Sequence, residues 1–314
     1  MKKVISLALA ALMILMLFAA CGGTGSSGET GGNETTTQPT ADPDTPLSDG
    51  KTLKVLAIGN SFSNNTTEYL YDIAKAEGMT DVVIGRLYIS GCSLEMHVFN
   101  ATSNAAVYDY YKNDSGSWNK TQSATLLYAL QDEEWDIITL QQSSAKSGRA
   151  DTYTGYIDQL VSYVNEKKTN PNARLVWNMT WAYQTGSTQS GFAQYNADQM
   201  TMYTAITDTV QQVIVPKTAI SKVIPVGTAI QNARTSYFGD NLTRDTYHLN
   251  ELGMVIGGYT WYALFTGKTL DAVNLTQVTQ TLALTDSDKA VIMEAVNAAI
   301  QTPYAVTQST HTER

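Results

Sequence analysis

A serine hydroxyl attacks a carbonyl only when a base within hydrogen-bond reach takes its proton, and imidazole is the usual base. Three histidines could fill that role: His97, His248 and His311. His311 lies in a polar C-terminal stretch, and His97 follows a glycine-bearing turn, where a surface or core-edge imidazole is expected. His248 stands in Arg244-Asp245-Thr246-Tyr247-His248-Leu249, with an acid three residues before it. In a turn or a helical start, that spacing points both side chains the same way, so Asp245 can fix the imidazole tautomer. The same pair could also cap the helix expected near Asn250. The matching alcohol is Ser61, in Ile58-Gly59-Asn60-Ser61-Phe62-Ser63 at the end of an apolar run. Gly59 there permits a tight turn. Ligands of open α/β sheets bind beyond the carboxyl ends of strands, where the next helix presents free N–H groups. On these residues alone, Ser61 fits a helix cap as well as a nucleophile.

The rest of the chain supplies a scaffold for such an edge. From Leu53 onward, short runs of Val, Ile and Leu alternate with longer amphipathic stretches, as in a parallel sheet covered by helices. The runs predict strands over 53–58, 82–89, 136–140, 174–178 and 223–226. Helical spacing predicts helices over 69–76, 125–132, 156–167, 192–213, 253–265 and 288–300. The last follows Thr285-x-x-Asp288, a capping box with Asp in place of the usual Glu or Gln. The expected fold is α/β: a three-layer αβα sandwich over residues 51–302 with a central parallel sheet of about five strands. A polar tail, 303–314, is expected to follow it.

Strand-Gly-Asn-Ser near the start and Asp-x-x-His near the end resemble the SGNH (GDSL-like) hydrolase superfamily. The resemblance covers nearly the whole domain and implies a flavodoxin-like sheet order. It carries the nucleophile onto Ser61, the acid onto Asp245 and the base onto His248. It implies hydrolysis of esters, often acetyl esters on carbohydrate, without a cofactor. The family's oxyanion glycine maps onto Gly91 in Ile89-Ser90-Gly91-Cys92-Ser93. The segments Trp135–Ser143, Trp177–Tyr183 and Gly227–Arg234 resemble an uncharacterised bacterial lipoprotein branch of that superfamily.

Two departures stand out. Asn60 replaces the family's Asp, and Gln141-Gln142-Ser143-Ser144 replaces its Gly-x-Asn-Asp block. A glutamine offers the same two amide donors as asparagine on a longer stem, so either Gln141 or Gln142 could serve the oxyanion. Cys92 has no basic neighbour to activate it and reads as a buried small side chain. Flat rings suit sugars, which makes Trp181, Tyr183 and Tyr247 candidate substrate contacts, whereas Trp177 within its strand reads as core.

The N-terminus sets the expected location. Lys2 and Lys3 precede a run from Val4 to Ala20 that is apolar except for Ser6, and Ala19-Ala20-Cys21 resembles a lipobox. Residues 1–20 are therefore expected to be a lipoprotein signal peptide, and Cys21 the lipidated residue of a protein anchored outside a bacterial membrane. Residues 21–50 are rich in Gly, Ser, Thr and Pro and form the expected flexible tether, reaching roughly 30 Å. The formal charge of −9 and the lack of a basic cluster exclude nucleic acid as a partner. No spacing of Cys, His or acids suggests a metal site. The functions expected are a cell-surface serine esterase acting on acylated carbohydrate or a small ester, or else a lipid-tethered solute- or sugar-binding protein, or a catalytically degenerate hydrolase module.

Overall fold

The computed structural model describes residues 45–314. The leader 1–20, Cys21 and the tether as far as residue 44 lie outside the described residues. The last residues assigned to the tether already belong to the domain. The N–H groups of Leu47 and Ser48 both donate to the Phe265 carbonyl, at 2.8 and 2.9 Å, and Leu47 packs on the core.

The described strands are β1 (Thr52–Gly59), β2 (Asp81–Tyr88), β3 (Tyr108–Asn113), β4 (Asn119–Ala124), β5 (Ile137–Leu140), β6 (Arg174–Asn178) and β7 (Ile220–Ile224). They form one sheet in the order β4-β3-β2-β1-β5-β6-β7. Five of them run parallel, and β3 and β4 add an antiparallel hairpin to the free edge of β2. The sheet is therefore mixed and seven-stranded, where a parallel sheet of five was expected. The reason lies in the hairpin's composition. Tyr-Asp-Tyr-Tyr-Lys-Asn and Asn-Lys-Thr-Gln-Ser-Ala lack the Val/Ile runs of strands buried on both faces. Tyr108 and Tyr110 are buried on one side, while Asp109 and Tyr111 stay half-exposed on the other.

The connecting helices are α1 (Ser61–Thr67), α2 (Leu70–Ala76), α3 (Leu94–Thr102), α4 (Leu126–Gln131), α5 (Tyr156–Lys167), α6 (Gln199–Thr209), α7 (Val226–Arg234), α8 (Glu251–Thr266) and α9 (Asp286–Gln301). Helices α1, α2, α7 and α9 gather round α8 on one side of the sheet, and α3, α4 and α5 pack together on the other. The result is an α/β/α sandwich. Among the described residues, no helix is long and apolar enough to cross a membrane.

Three expected boundaries move for identifiable reasons. Pro225 ends β7, so Val226 opens α7 instead of closing a strand. The single helix expected over 192–213 is broken at Asn196 and Ala197, whose φ values of 58° and 52° are left-handed, and α6 restarts after the Asp198 cap. The polar segment 303–314 is laid along the domain. Thr307 N–H donates to Asn232 Oδ1 at 2.7 Å, Ser309 N–H to Thr235 Oγ1 at 2.8 Å, and the His311 carbonyl accepts from Tyr237 N–H at 2.9 Å. The Thr285/Asp288 capping box at the start of α9 is present with both reciprocal bonds.

Candidate functional site

Parallel strands bring the ends of β1, β2, β5 and β6 to one edge, and the site lies there. Asn60 caps α1: its Oδ1 accepts from Phe62 N–H at 3.0 Å. Ser61 is thus the first helical residue, not the cap, and its N–H has no partner within the helix. His248 arrives on the loop before α8 and places Nε2 at 2.8 Å from Ser61 Oγ. Its Nδ1 lies 2.7 Å from Asp245 Oδ2, and Asp245 Oδ1 also accepts the His248 N–H at 2.7 Å. Burial raises the Asp245 carboxyl, but hydrogen bonds from the His248 side chain and backbone, and its charge, hold it below the usual carboxylate range. An ionised carboxylate only accepts, so Nδ1 carries the proton of a neutral ring and Nε2 is left to accept from Ser61.

A buried chain of amides supports this edge. Asn60 Nδ2 donates to the Cys92 carbonyl at 3.0 Å, which ties the nucleophile turn to the Gly91 loop. Gln141 Nε2 donates to Asn60 Oδ1 at 2.8 Å, and Gln141 Oε1 accepts from Asn178 Nδ2 at 2.8 Å. Trp261 Nε1 completes the chain on Asn178 Oδ1 at 3.2 Å. Gln142 faces elsewhere: Oε1 accepts from Leu94 N–H, and Nε2 donates to the Thr152 carbonyl and hydroxyl at 3.2 Å each. Both its amide protons are committed, so Gln142 falls out as an oxyanion donor, whereas Gln141 retains one N–H. Gly91 sits exposed at φ 61° with open space where a Cβ would lie. Gly59 has another purpose than the tight turn expected of it. A Cβ there would meet Ser63 Oγ at 2.6 Å and Gln141 Cγ at 3.0 Å.

The aromatics expected to face substrate mostly hold the base loop. Trp181 is fully buried, stacks on Phe62 with centroids 4.0 Å apart, and donates Nε1–H to the Tyr247 carbonyl at 2.8 Å. Tyr183 is 3% exposed, with its hydroxyl on Ser144 Oγ at 2.8 Å, and burial pushes its phenol up to about 12. Neither offers a free ring face. Tyr247 is half-buried and lies 3.9 Å, ring to ring, from His248, which leaves it as the only one of the three placed at the opening. Thr246 between the acid and the base takes φ 73°, unusual for a β-branched residue, and is pinned by Gln184 N–H on its carbonyl at 2.8 Å. Behind that loop, the buried Arg234 pairs with Asp240 at 2.9 Å and donates to the Ala182 carbonyl at 3.1 Å.

Trp177 is core, as its strand position suggested, and Cys92 is buried, its thiol pushed up to about 12 by desolvation. His97 is not at a surface or core edge: it is fully buried, with Nδ1 on the Tyr108 hydroxyl at 3.0 Å. Asn65 had no sequence signal, since it sits mid-helix, yet its Oδ1 accepts the Leu249 N–H at 3.0 Å and docks the base loop on α1.

Residues 54–285 match the profile of a family described as a domain of unknown function, DUF4886. The chain belongs to the DUF4886 family. A crystal structure of a DUF4886 protein from Bacteroides uniformis is similar at 40% identity and a TM-score of 0.76, over 84% of this chain and all of that one. A protein from Slackia heliotrinireducens, whose name proposes an SGNH hydrolase, aligns over 68% of this chain and 99% of its own at 16% identity and a TM-score of 0.45. No curated protein matches the chain. Within this DUF4886 domain, the matched span contains all of Ser61, Gly91, Gln141, Asp245 and His248.

Proposed function

We propose that this protein is a serine esterase, with Ser61 as nucleophile, His248 as base and Asp245 as the group that orients it. The observation that carries the reading is the continuous hydrogen-bonded row of the three side chains, 2.8 Å from Ser61 Oγ to His248 Nε2 and 2.7 Å from His248 Nδ1 to Asp245. Ser61 Oγ attacks the acyl carbonyl carbon while its proton passes to Nε2, and the carbonyl π pair becomes an oxyanion. The Ser61 and Gly91 N–H groups and the remaining Gln141 N–H supply its donors. Collapse expels the alkoxide, which takes the proton back from His248. Water then attacks the acyl-enzyme with His248 again as base, and the carboxylic acid and free serine are regenerated.

The substrate class we infer is an acyl ester, with O-acetyl groups on carbohydrate foremost. The place of action is the outer face of a bacterial membrane, reached through the lipid on Cys21. The test uses the purified full chain, a small activated acetyl ester and the Ser61→Ala variant. Hydrolysis by the wild type, nearly abolished in the variant at an unchanged melting temperature, supports the reading. Equal rates would end it.

A further inference from the structure

The β3–β4 hairpin carries a surface that the catalytic row does not use. Register places Tyr88 and Arg86 of β2 opposite Asp109 and Tyr111 of β3, and Tyr111 opposite Lys120 of β4, so these side chains share one face of the sheet. It is the face on which α1 lies. Arg86 Nη1 donates to the Asn64 carbonyl at 3.1 Å, one turn along α1 from Ser61, and pairs with Glu68 at 2.7 Å. Trp118, from the hairpin turn, stacks on the other side of that guanidinium at 3.7 Å. A chain of contacts therefore links α1 to the hairpin, from Asn64 through the buried Arg86 to Trp118 and Tyr111. With strands about 5 Å apart, β3 lies about 10 Å from β1 across the sheet, and the register sets Tyr111 level with Ala57 and the hairpin turn beyond Val55, back along the strands from Gly59.

Its chemistry narrows the occupant. Trp118 and Tyr111 are half-buried rings, in contrast to the enclosed Trp181 and Tyr183, and each carries a cation over the ring: Arg86 at 3.7 Å from the Trp118 centroid and 5.2 Å from Tyr111, and Lys120 at 5.5 Å from Tyr111. The cations beside them are matched, Arg86 by Glu68 at 2.7 Å and Lys120 by Asp109 at 2.9 Å, so a polyanion meets no uncompensated positive charge there. Part-exposed aromatic faces bordered by neutral ion pairs suit a ligand with apolar ring faces and hydroxyl edges. We propose that this face is the subsite for the neutral saccharide that carries the ester. The inference rests on the esterase reading of Ser61 for its place in a reaction, and on the hairpin alone for binding.

Two arms keep those apart. In the first, full-chain Ser61→Ala protein is titrated calorimetrically with neutral hexasaccharides (xylo-, cello- and N-acetylchito-oligomers) and with hexagalacturonate. Binding of a neutral oligomer, weakened about tenfold by adding Trp118→Ala or Tyr111→Ala, supports the subsite whether or not Ser61 is catalytic. Trp118→Phe, which keeps a flat ring, should restore most of the affinity and guards against a misfolded Trp118→Ala. In the second arm, on the Ser61 background, Trp118→Ala should raise KM for an acetylated oligosaccharide about tenfold more than for a small acetyl ester, with kcat little altered. Absence of binding by every neutral oligomer, tighter binding of the galacturonate, or equal losses on both esters would overturn the proposal.

Discussion

Asn60 and Gln141 meet amide to amide beside the Ser61 turn, with Gln141 Nε2 donating to Asn60 Oδ1 at 2.8 Å. The two side chains are coupled. Asn60 must both accept from Gln141 and Phe62 N–H and donate to the Cys92 carbonyl. A carboxylate can do only the first. The longer glutamine stem in turn needs the room left by Gly59.

Asn60→Asp is therefore expected to destabilise the protein. The new carboxylate oxygen would face the Cys92 carbonyl across the present 3.0 Å contact, at a position 1% exposed. The loss should be about 1–3 kcal/mol, with reduced esterase rate, because the Gly91 loop is released from the serine turn. Thermal melts and kcat on an acetyl ester check it. A variant as stable and active as the parent would contradict the clamp.

Much of this edge was legible in the sequence, because few residue types can perform the chemistry proposed for it. Asp245 and His248 could be picked out by type and spacing, Ser61 only with the family resemblance beside them, and the five parallel strands by their Val/Ile runs. The hairpin could not, because β3 and β4 are one-sided and polar. Nor could the engagement of Gln142 with Thr152, or the burial of Trp181 and Tyr183. Those depend on which loops fold over the rim, and no local pattern encodes that. His97 was misjudged for the same reason: Tyr108, which partners it, lies on a strand that the pattern does not reveal.

Asp245→Asn should leave the fold intact and lower kcat by on the order of a thousandfold or more. The carboxylate is held below its usual range, so through the neutral region it is an obligate acceptor for Nδ1–H. An amide can present its N–H instead and flip the ring to the tautomer whose Nε2 carries the proton, which cannot accept from Ser61. A variant within tenfold of wild type would remove Asp245 as the group that orients the base.

Trp181→Phe tests whether that ring supports the base loop instead of contacting substrate. Phenylalanine can keep the stack on Phe62 but loses the bond to the Tyr247 carbonyl, 2.8 Å in the wild type. A stability loss of about 1 kcal/mol is expected, with kcat falling and KM for small and large esters unchanged. A rise in KM confined to saccharide esters would instead assign Trp181 to substrate.

His97 makes a separate prediction about stability. It is fully buried and its Nδ1 contacts the Tyr108 hydroxyl; Nε2 has no hydrogen-bond partner among the described residues, and burial pushes the imidazole from 6.5 down to about 4. Below about pH 6.5 the unfolded chain takes up a proton at this residue that the folded one refuses. Unfolding therefore gains from acid, and the stability present above that pH drains away until about pH 4, where the folded form also binds the proton. The whole window is worth about 3 kcal/mol. His97→Phe keeps an aromatic ring in the site and removes the titration. Near neutrality it should be less stable than wild type by about 1 kcal/mol, because the Tyr108 hydroxyl loses its shorter partner. Near pH 4.5 that deficit should vanish or reverse. Urea unfolding of both proteins at about pH 7 and about pH 4.5 reads the difference directly, and any other titrating group contributes equally to both. A deficit of the same size at the two pH values would show that His97 is protonated as readily in the fold as outside it.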